Sequence, residues 1–395
     1  MKTAVQFGAG NIGRGFMGQF FWEAGYKTVF VEANEQVVKS LNTNTQYPLK
    51  LLDAYTKKEI DLTIDNFEGL HTEDRVRISE AVSGAGVLST AVGVNNLPAI
   101  APLLAGGIKA RHKINGGPVD IYLCENILDA ADILKSEVMK LLDTEAARWA
   151  EENVGFVGTV VGRMVPSSGD RFGVDHSLFV VADSYHKLPY DGKAIRAEPL
   201  AIEGMKGVGN FQAEVERKLY THNLGHAALG YLGYLGGYSF VHEPFDDERI
   251  FAVFEGALDE TSEALLKKFS RDLDPDEHGK IREDVRVRFG NPMIQDGVER
   301  VSRDPIRKLG PKDRLVGSAK LCFEYGIFPK NIAYTCGAAL CYDCEEDDKA
   351  VQLQNMISEK GVETTLQEVS GVDPRSDFGR EIVTAYNQIR DLYKK

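Results

Sequence analysis

Apolar residues change period in an ordered way along the chain. Residues 2 to 7 (KTAVQF) form a short apolar run that ends in GAGNIGRG, and apolar positions then recur at helical spacing through Ile12, Phe16, Phe20 and Phe21 to Gly25. The pattern predicts strand, glycine turn and helix, with Gly25 as the C-cap. A second run, Thr28 to Val31, closes on Glu32 and leads into a helix-like stretch ending near Asn42, which completes a βαβ unit. From Tyr47 to Ile64, alternation with turn residues predicts an inserted β-hairpin. Gly86 to Ala91 and Val119 to Cys124 read as buried strands, followed by helical stretches at about Asn96 to Lys109 and Ile127 to Leu142. Strand-like segments recur at Gly155 to Val161 and Ser177 to Ala182. Beyond a loop rich in Pro, Gly and charge near Glu198 to Gly209, the pattern is helical almost to the end. These readings predict an α/β N-terminal domain over residues 1–198 and a mostly α-helical domain over 199–395.

Composition narrows the function. A chain of 395 residues with 43% hydrophobic and 27% charged residues has material for two separate cores. A formal charge of −13 speaks against nucleic-acid or anionic-membrane partners, which need a basic face. No apolar run approaches the roughly 18 residues of a membrane span, and the opening MKTAVQFGAGN lacks a signal-peptide core, so a cytoplasmic protein is expected. Five cysteines in so long a chain suggest reduced thiols. Cys341 and Cys344, with Cys336 before them, are the nearest approach to a metal pattern. No His completes it, and Asp343, Glu345 and Glu346 read more simply as a solvated turn, so no metal is expected.

Gly8, Gly10 and Gly13 fit G-x-G-x-x-G directly after a strand and before a helix. The spacing serves a tight turn, close backbone approach to a pyrophosphate, and helix–strand packing, while the helix start favours the anion. Phe7, Gly8, Ala9, Gly10, Asn11, Ile12 and Gly13 are therefore the expected cofactor-binding stretch. Glu32 ends the second strand, where a carboxylate accepts bonds from ribose hydroxyls and repels a 2′-phosphate, so NAD is the expected cofactor. Thr90, Val92 and Gly93 follow a later strand and either line the cofactor from the other side or form a plain strand-end turn.

Lys218, Asn223 and His226 lie in a helix-like stretch of the second domain. At about 100° per residue, Asn223 falls roughly 140° and His226 roughly 80° from Lys218, on one face. Hydride transfer from an alcohol needs a group to take the hydroxyl proton and donors to steady the oxygen. A lysine with a lowered pKa, an amide and an imidazole meet that need, although such residues also occur together on ordinary exposed helix faces. Asn126 follows a strand end and either donates to the same oxygen or satisfies its own turn.

The motifs FGAGNIGRGF (Phe7 to Phe16), TAVG (Thr90 to Gly93), CEN (Cys124 to Asn126), ERKLYTHNLGHA (Glu216 to Ala227) and RFGNP (Arg288 to Pro292) stand in one order. DP..KL (Asp304 to Leu309) and DRL (Asp313 to Leu315) continue it. Through them nearly the whole chain resembles the long-chain polyol (mannitol) dehydrogenase family, whose K-x4-N-x2-H signature is met by Lys218, Asn223 and His226. The resemblance implies an extended Rossmann-type domain followed by a mostly α-helical domain. It also implies a metal-independent oxidoreductase that interconverts D-mannitol 1-phosphate and D-fructose 6-phosphate with NAD. On that reading Lys218 is the general acid/base, Asn126 and Asn223 hold the reacting oxygen, and His226 orients the substrate or Lys218. Relatives acting on free mannitol tend to carry Glu three residues before the lysine; here Val215 stands there, so no proton relay is expected through that position.

A sugar phosphate is the expected partner, and Arg307 and Lys308, in the densest basic stretch of the second domain, are the expected phosphate contacts, with Arg163 and Arg288 as further candidates. The oligomeric state, monomer or small homo-oligomer, stays open. Two other readings stand beside this one: a hexuronate reductase, acting on tagaturonate or fructuronate, and a non-catalytic NAD-sensing regulator.

Overall fold

The computed structural model describes residues 2–127, 129–166 and 171–393. The chain forms two compact units, Met1–Glu214 and Val215–Lys395. In chain order the strands of the first unit are β1 (Thr3–Phe7), β2 (Lys27–Glu32), β3 (Gln46–Asp53), β4 (Lys58–Asp65), β5 (Phe67–His71) and β6 (Val87–Thr90). They continue with β7 (Val119–Leu123), β8 (Val154–Gly158), β9 (Val180–Asp183), β10 (Leu188–Asp191) and β11 (Met205–Val208). The boundary expected at 198/199 precedes β11, which pairs with β10 and ties the chain through Val208 to the first unit.

Six strands make a parallel sheet in the order β5-β2-β1-β6-β7-β8. Both faces are covered, so most of these strands read as largely apolar runs. Val5, Phe7, Val29, Val31, Ile121 and Leu123 enter one core, while Ala4, Val87, Tyr122 and Val157 pack with Phe16, Phe20 and Phe21 in another. The strand order reverses at β1, with β2 on one side and β6 on the other. A sheet of this kind opens a crevice at such a switch point, beyond the carboxyl ends of the strands.

The predicted hairpin is present: β3 and β4 pair antiparallel from Gln46 opposite Asp65 to Asp53 opposite Lys58, and β3 also pairs in parallel with β9. The exposed edge strand β4 carries Lys58, Glu59 and Asp61, charges that discourage edge-to-edge association. Strand β5 gave no sequence signal, because Gly69 interrupts FEGLH. That glycine admits the close approach of Leu41, whose Cβ would stand 2.9 Å from an added side chain.

The second unit is helical. The helix Phe211–Lys218, which begins within the first unit, passes through a π-turn, Leu219–Asn223, into the buried helix Leu224–Leu235. The longer helices Glu248–Lys268, Pro275–Phe289 and Asp377–Leu392 follow. The DPDEHGK stretch is a helix start: Asp274 accepts from the Glu277 amide at 2.8 Å, and Pro275 occupies the first helical position. Among the described residues no helix is long and apolar enough to cross a membrane.

Candidate functional site

The glycine loop is built as its spacing predicts. Gly8 has φ +88°, and its amide donates to the Val31 carbonyl at 2.8 Å. A Cβ at Gly8 would overlap the Ala91 carbonyl oxygen, and one at Gly13 would overlap the Gly8 carbonyl oxygen. Gly10 differs, since an added Cβ would meet nothing within 4 Å. Gly10 and Asn11 are exposed and Ile12 is half-buried, whereas Phe7, Gly8, Ala9 and Gly13 are buried. The loop therefore presents exposed backbone at a helix start, the arrangement that accepts a phosphate. Behind it the buried Arg14 guanidinium donates to the Ala9 carbonyl, and the Tyr47 hydroxyl donates to the Arg14 carbonyl at 2.8 Å. Burial lowers the Arg14 pKa, against the pull of Tyr47 and Glu32.

The Glu32 carboxylate accepts from the amides of Ala9 at 2.8 Å, Ala33 at 2.9 Å and Asn34 at 3.0 Å. It is thereby fixed at the end of β2, against the loop it was expected to serve. On the other side of β1, the Ala91 amide donates to the Phe7 carbonyl at 2.8 Å, so the TAVG loop adjoins the glycine loop. Thr90, Val92 and Gly93 are gathered by a residue that sequence reasoning passed over. Glu125, buried in the CEN motif, accepts from the Thr90 hydroxyl at 2.9 Å, the Val92 amide at 3.0 Å and the Gly93 amide at 2.9 Å. The only available signal was its place between Cys124 and Asn126. Asn126 is exposed beyond the end of β7.

In the second unit, Lys218 closes its helix and the chain enters the π-turn, where the Leu224 amide bonds back to the Leu219 carbonyl. Bonding from i to i+5 turns the chain less per residue than an α-helix does. Asn223, five residues on, is therefore drawn toward the Lys218 face and not left at the roughly 140° of a regular helix. Lys218 is mostly buried. Burial, then the charges of Arg314 and Arg288, outweigh the opposing Asp313 and bring its pKa down to about 7. His222, between Lys218 and His226 in sequence, is held well below the ordinary imidazole range by burial and by Arg288, Lys218, His226 and Arg314.

The His226 ring stacks on Phe289 at 4.6 Å, and its Nε2 stands 3.2 Å from Asp296 Oδ2. Burial lowers the His226 pKa, with Asp296 opposing. Burial pushes the Asp296 carboxyl up, but His226 and the two donors of Arg300 hold it at about 2. Asp296, Arg288, Arg314 and Asp313 thus join the signature residues, although none falls within the signature helix.

The two cations expected at a phosphate have protein partners. Arg307 is exposed and donates to Asp304 at 2.9 Å and Asp313 at 3.0 Å. The Lys308 ammonium is buried on the carbonyls of Val301, at 2.7 Å, and Arg303. Arg288 is buried and lies 3.2 Å from Asp284. Arg163 is buried too, bonding the Tyr185 carbonyl at 2.7 Å and the Gly15 carbonyl at 2.9 Å, beside the glycine-loop helix. Glu216, two residues before Lys218, is bound through both oxygens to Lys268 at 2.8 Å.

The mannitol dehydrogenase Rossmann domain model matches residues 2–204, and the mannitol dehydrogenase C-terminal domain model matches residues 210–390. The chain is 35% identical to a mannitol-1-phosphate 5-dehydrogenase of Thermoanaerobacter pseudethanolicus and 37% identical to one of Oceanobacillus iheyensis, covering 100% of both chains in each case. Its fold is shared with a D-sorbitol dehydrogenase solved in substrate-free form, at TM-score 0.81 and 16% identity, over 99% of this chain and 94% of that one. It is shared equally with a Pseudomonas fluorescens mannitol 2-dehydrogenase solved with NAD and D-mannitol, at TM-score 0.80 and 18% identity, over 99% and 92%. With both domain models matched in order and full-length relatives above 30% identity, this chain belongs to the mannitol dehydrogenase family of oxidoreductases.

Proposed function

We propose that the protein is an NAD-dependent dehydrogenase interconverting D-mannitol 1-phosphate and D-fructose 6-phosphate. The observation that carries this reading is the Lys218 ammonium, brought to about 7 by burial beside two guanidinium groups. A lysine poised there exchanges a proton near neutral pH in either direction. In polyol oxidation its neutral amine takes the hydroxyl proton while the carbinol C–H leaves as hydride and the C=O bond forms. In reduction the ammonium returns that proton to the oxygen. Asn126 and Asn223 hold the reacting oxygen, and His226, stacked on Phe289, orients the substrate or Lys218.

The fit of a dinucleotide is supported by the open backbone at Gly10 and by the glycines that cannot carry a side chain. The residues that would hold it are Phe7 to Gly13, Glu32, Thr90, Val92 and Gly93. Bound there, NAD would accept the hydride. Glu32 favours NAD over its 2′-phosphorylated form by charge. Arg307, exposed and shared between two carboxylates, is the group proposed to meet the sugar phosphate. Lys308 supports that turn from beneath.

The phosphate assignment draws on the relatives named mannitol-1-phosphate 5-dehydrogenase. The test is the initial rate of NADH oxidation with fructose 6-phosphate, fructose and tagaturonate at equal concentration, with NADPH as the cofactor control. Turnover with fructose 6-phosphate and NADH alone is expected. Preference for tagaturonate would make this a hexuronate reductase with the same Lys218 chemistry. NADH binding without turnover of any of these substrates would favour the regulator.

A further inference from the structure

Glu125 has no part in the chemistry proposed above, yet, like Glu32 at the end of β2, its carboxylate gathers three donors at the carboxyl end of the parallel sheet. It is buried, and its two oxygens collect three donors from the last residue of β6 and the loop after it: one hydroxyl and two backbone amides, at 2.9 to 3.0 Å. That loop bends through Gly93 at φ +82° and is joined to the glycine loop by the Ala91 to Phe7 bond. The loop has other anchors: Val92 packs on the sheet core, the Asn96 amide bonds the Gly93 carbonyl at 2.9 Å, and the Asn96 side chain bonds the Val92 carbonyl at 2.8 Å. Glu125 adds three bonds to one carboxylate, and bonds to a carboxylate are stronger than neutral ones, so it is the side chain that ties Thr90, Val92 and Gly93 together.

We propose that Glu125 is a positioning residue for the dinucleotide, a function resting on the NAD reading above. It acts in two ways. First, it locks Thr90, Val92 and Gly93 in the conformation that flanks the crevice beyond β1 and β6. Second, its fixed negative charge, buried where water screens it poorly, favours the oxidised nicotinamide, which carries a positive charge, over the neutral reduced form. A residue with only a packing role would change neither the affinity nor the ratio between the two redox forms.

Glu125→Gln keeps shape and volume but turns one acceptor into a donor, which then faces an amide or hydroxyl donor. The measurement is the Kd of NAD and of NADH, by titration calorimetry on the full chain, alongside the melting temperature and the KM for the sugar substrate. The expected result is at least about tenfold weaker binding of both nucleotides, from the loss of a charge-assisted hydrogen bond. The loss should be larger for NAD by a factor on the order of three or more. Thr90→Val, which removes a donor but keeps the charge, is expected to weaken both forms equally and serves as the second variant.

Unchanged affinities in Glu125→Gln, or a loss confined to the melting temperature or to the sugar KM, would overturn the proposal. Equal weakening of both nucleotides by Glu125→Gln would overturn its electrostatic half. The failures are separable. Wild type that binds NADH but reduces no fructose 6-phosphate sinks the substrate reading and leaves Glu125 standing. Wild type that binds no dinucleotide sinks both.

Discussion

The electrostatic account of Lys218 can be challenged at Arg314. Bringing an ammonium from the ordinary 10.5 to about 7 disfavours its charged form by about 5 kcal/mol. At pH 7 half of the enzyme then carries a neutral amine, against roughly one molecule in 3,000 for an unperturbed lysine. Burial is the largest cause, and Arg314 is the largest charge acting in the same direction. Arg314→Met keeps an apolar stem in a buried position and deletes the guanidinium. It also removes one of the two cationic partners of Asp313, whose Oδ1 accepts from Arg314 Nε at 2.7 Å while Arg307 stays on the other oxygen, and so lets Asp313 pull the Lys218 pKa further up. Both changes have the same sign. A neighbouring charge of this kind moves a pKa by about 1, so the acid limb of polyol oxidation should move up by about one pH unit. Oxidation at pH 7 then falls about fivefold and oxidation at pH 9.5 stays level. In keto-sugar reduction, where the ammonium is the active form, the alkaline limb moves up equally. The assay is kcat for NADH formation from mannitol 1-phosphate between pH 5.5 and 10, with KM followed to separate any direct contact of Arg314 with substrate. An acid limb that stays in place, or moves down, would refute the argument that neighbouring cations poise this lysine.

Other predictions bear on separate parts of the molecule. Gly10→Ala should fold with an unchanged melting temperature, since its Cβ meets nothing within 4 Å, yet lose about tenfold or more in NADH affinity; Gly13→Ala, whose Cβ overlaps a backbone carbonyl, should lose stability, and equal behaviour of the two in thermal melts would contradict the geometry. Arg307→Ala should raise the KM for fructose 6-phosphate about tenfold with little change for fructose, as steady-state kinetics would reveal. Lys308→Met should lower the melting temperature and raise that KM less than Arg307→Ala does, because its ammonium is bound to carbonyls within the protein. His278, buried on Ser262 Oγ at 2.9 Å, has its pKa lowered by burial, Arg217 and Arg282 to about 4. A folded value below the unfolded 6.5 means that stability is full above pH 6.5 and is lost as pH falls through about 4, by about 3 kcal/mol. Denaturant melts should show that loss shrinking by this amount in His278→Gln.

What the sequence made legible was local. The glycine loop, the Glu32 strand end, the β3–β4 hairpin and the Lys218 to His226 spacing each lie within a short segment, where period and turn chemistry report directly. The π-turn between Lys218 and Asn223 was not legible, because a change of backbone bonding from i+4 to i+5 leaves no mark in hydrophobic period, yet it alters which side chains share a face. Strand β5 was hidden by a glycine that serves packing, not turning. The groups that set the Lys218 pKa were hidden for a different reason. Arg288 ends one helix and Arg314 follows another, 70 and 96 residues beyond the lysine they act on. Glu125 stands 35 residues from Thr90 and, like them, acts through the fold. A motif names the side chains proposed to meet the ligand, whereas the charges and clamps that give those side chains their chemistry come from segments brought near only by folding. The two cations chosen from sequence density alone show the converse. Lys308 and Arg307 are adjacent and both cationic, but one is turned onto buried carbonyls and the other onto carboxylates near the surface, so basic density marks a region of charge without telling which charge is available.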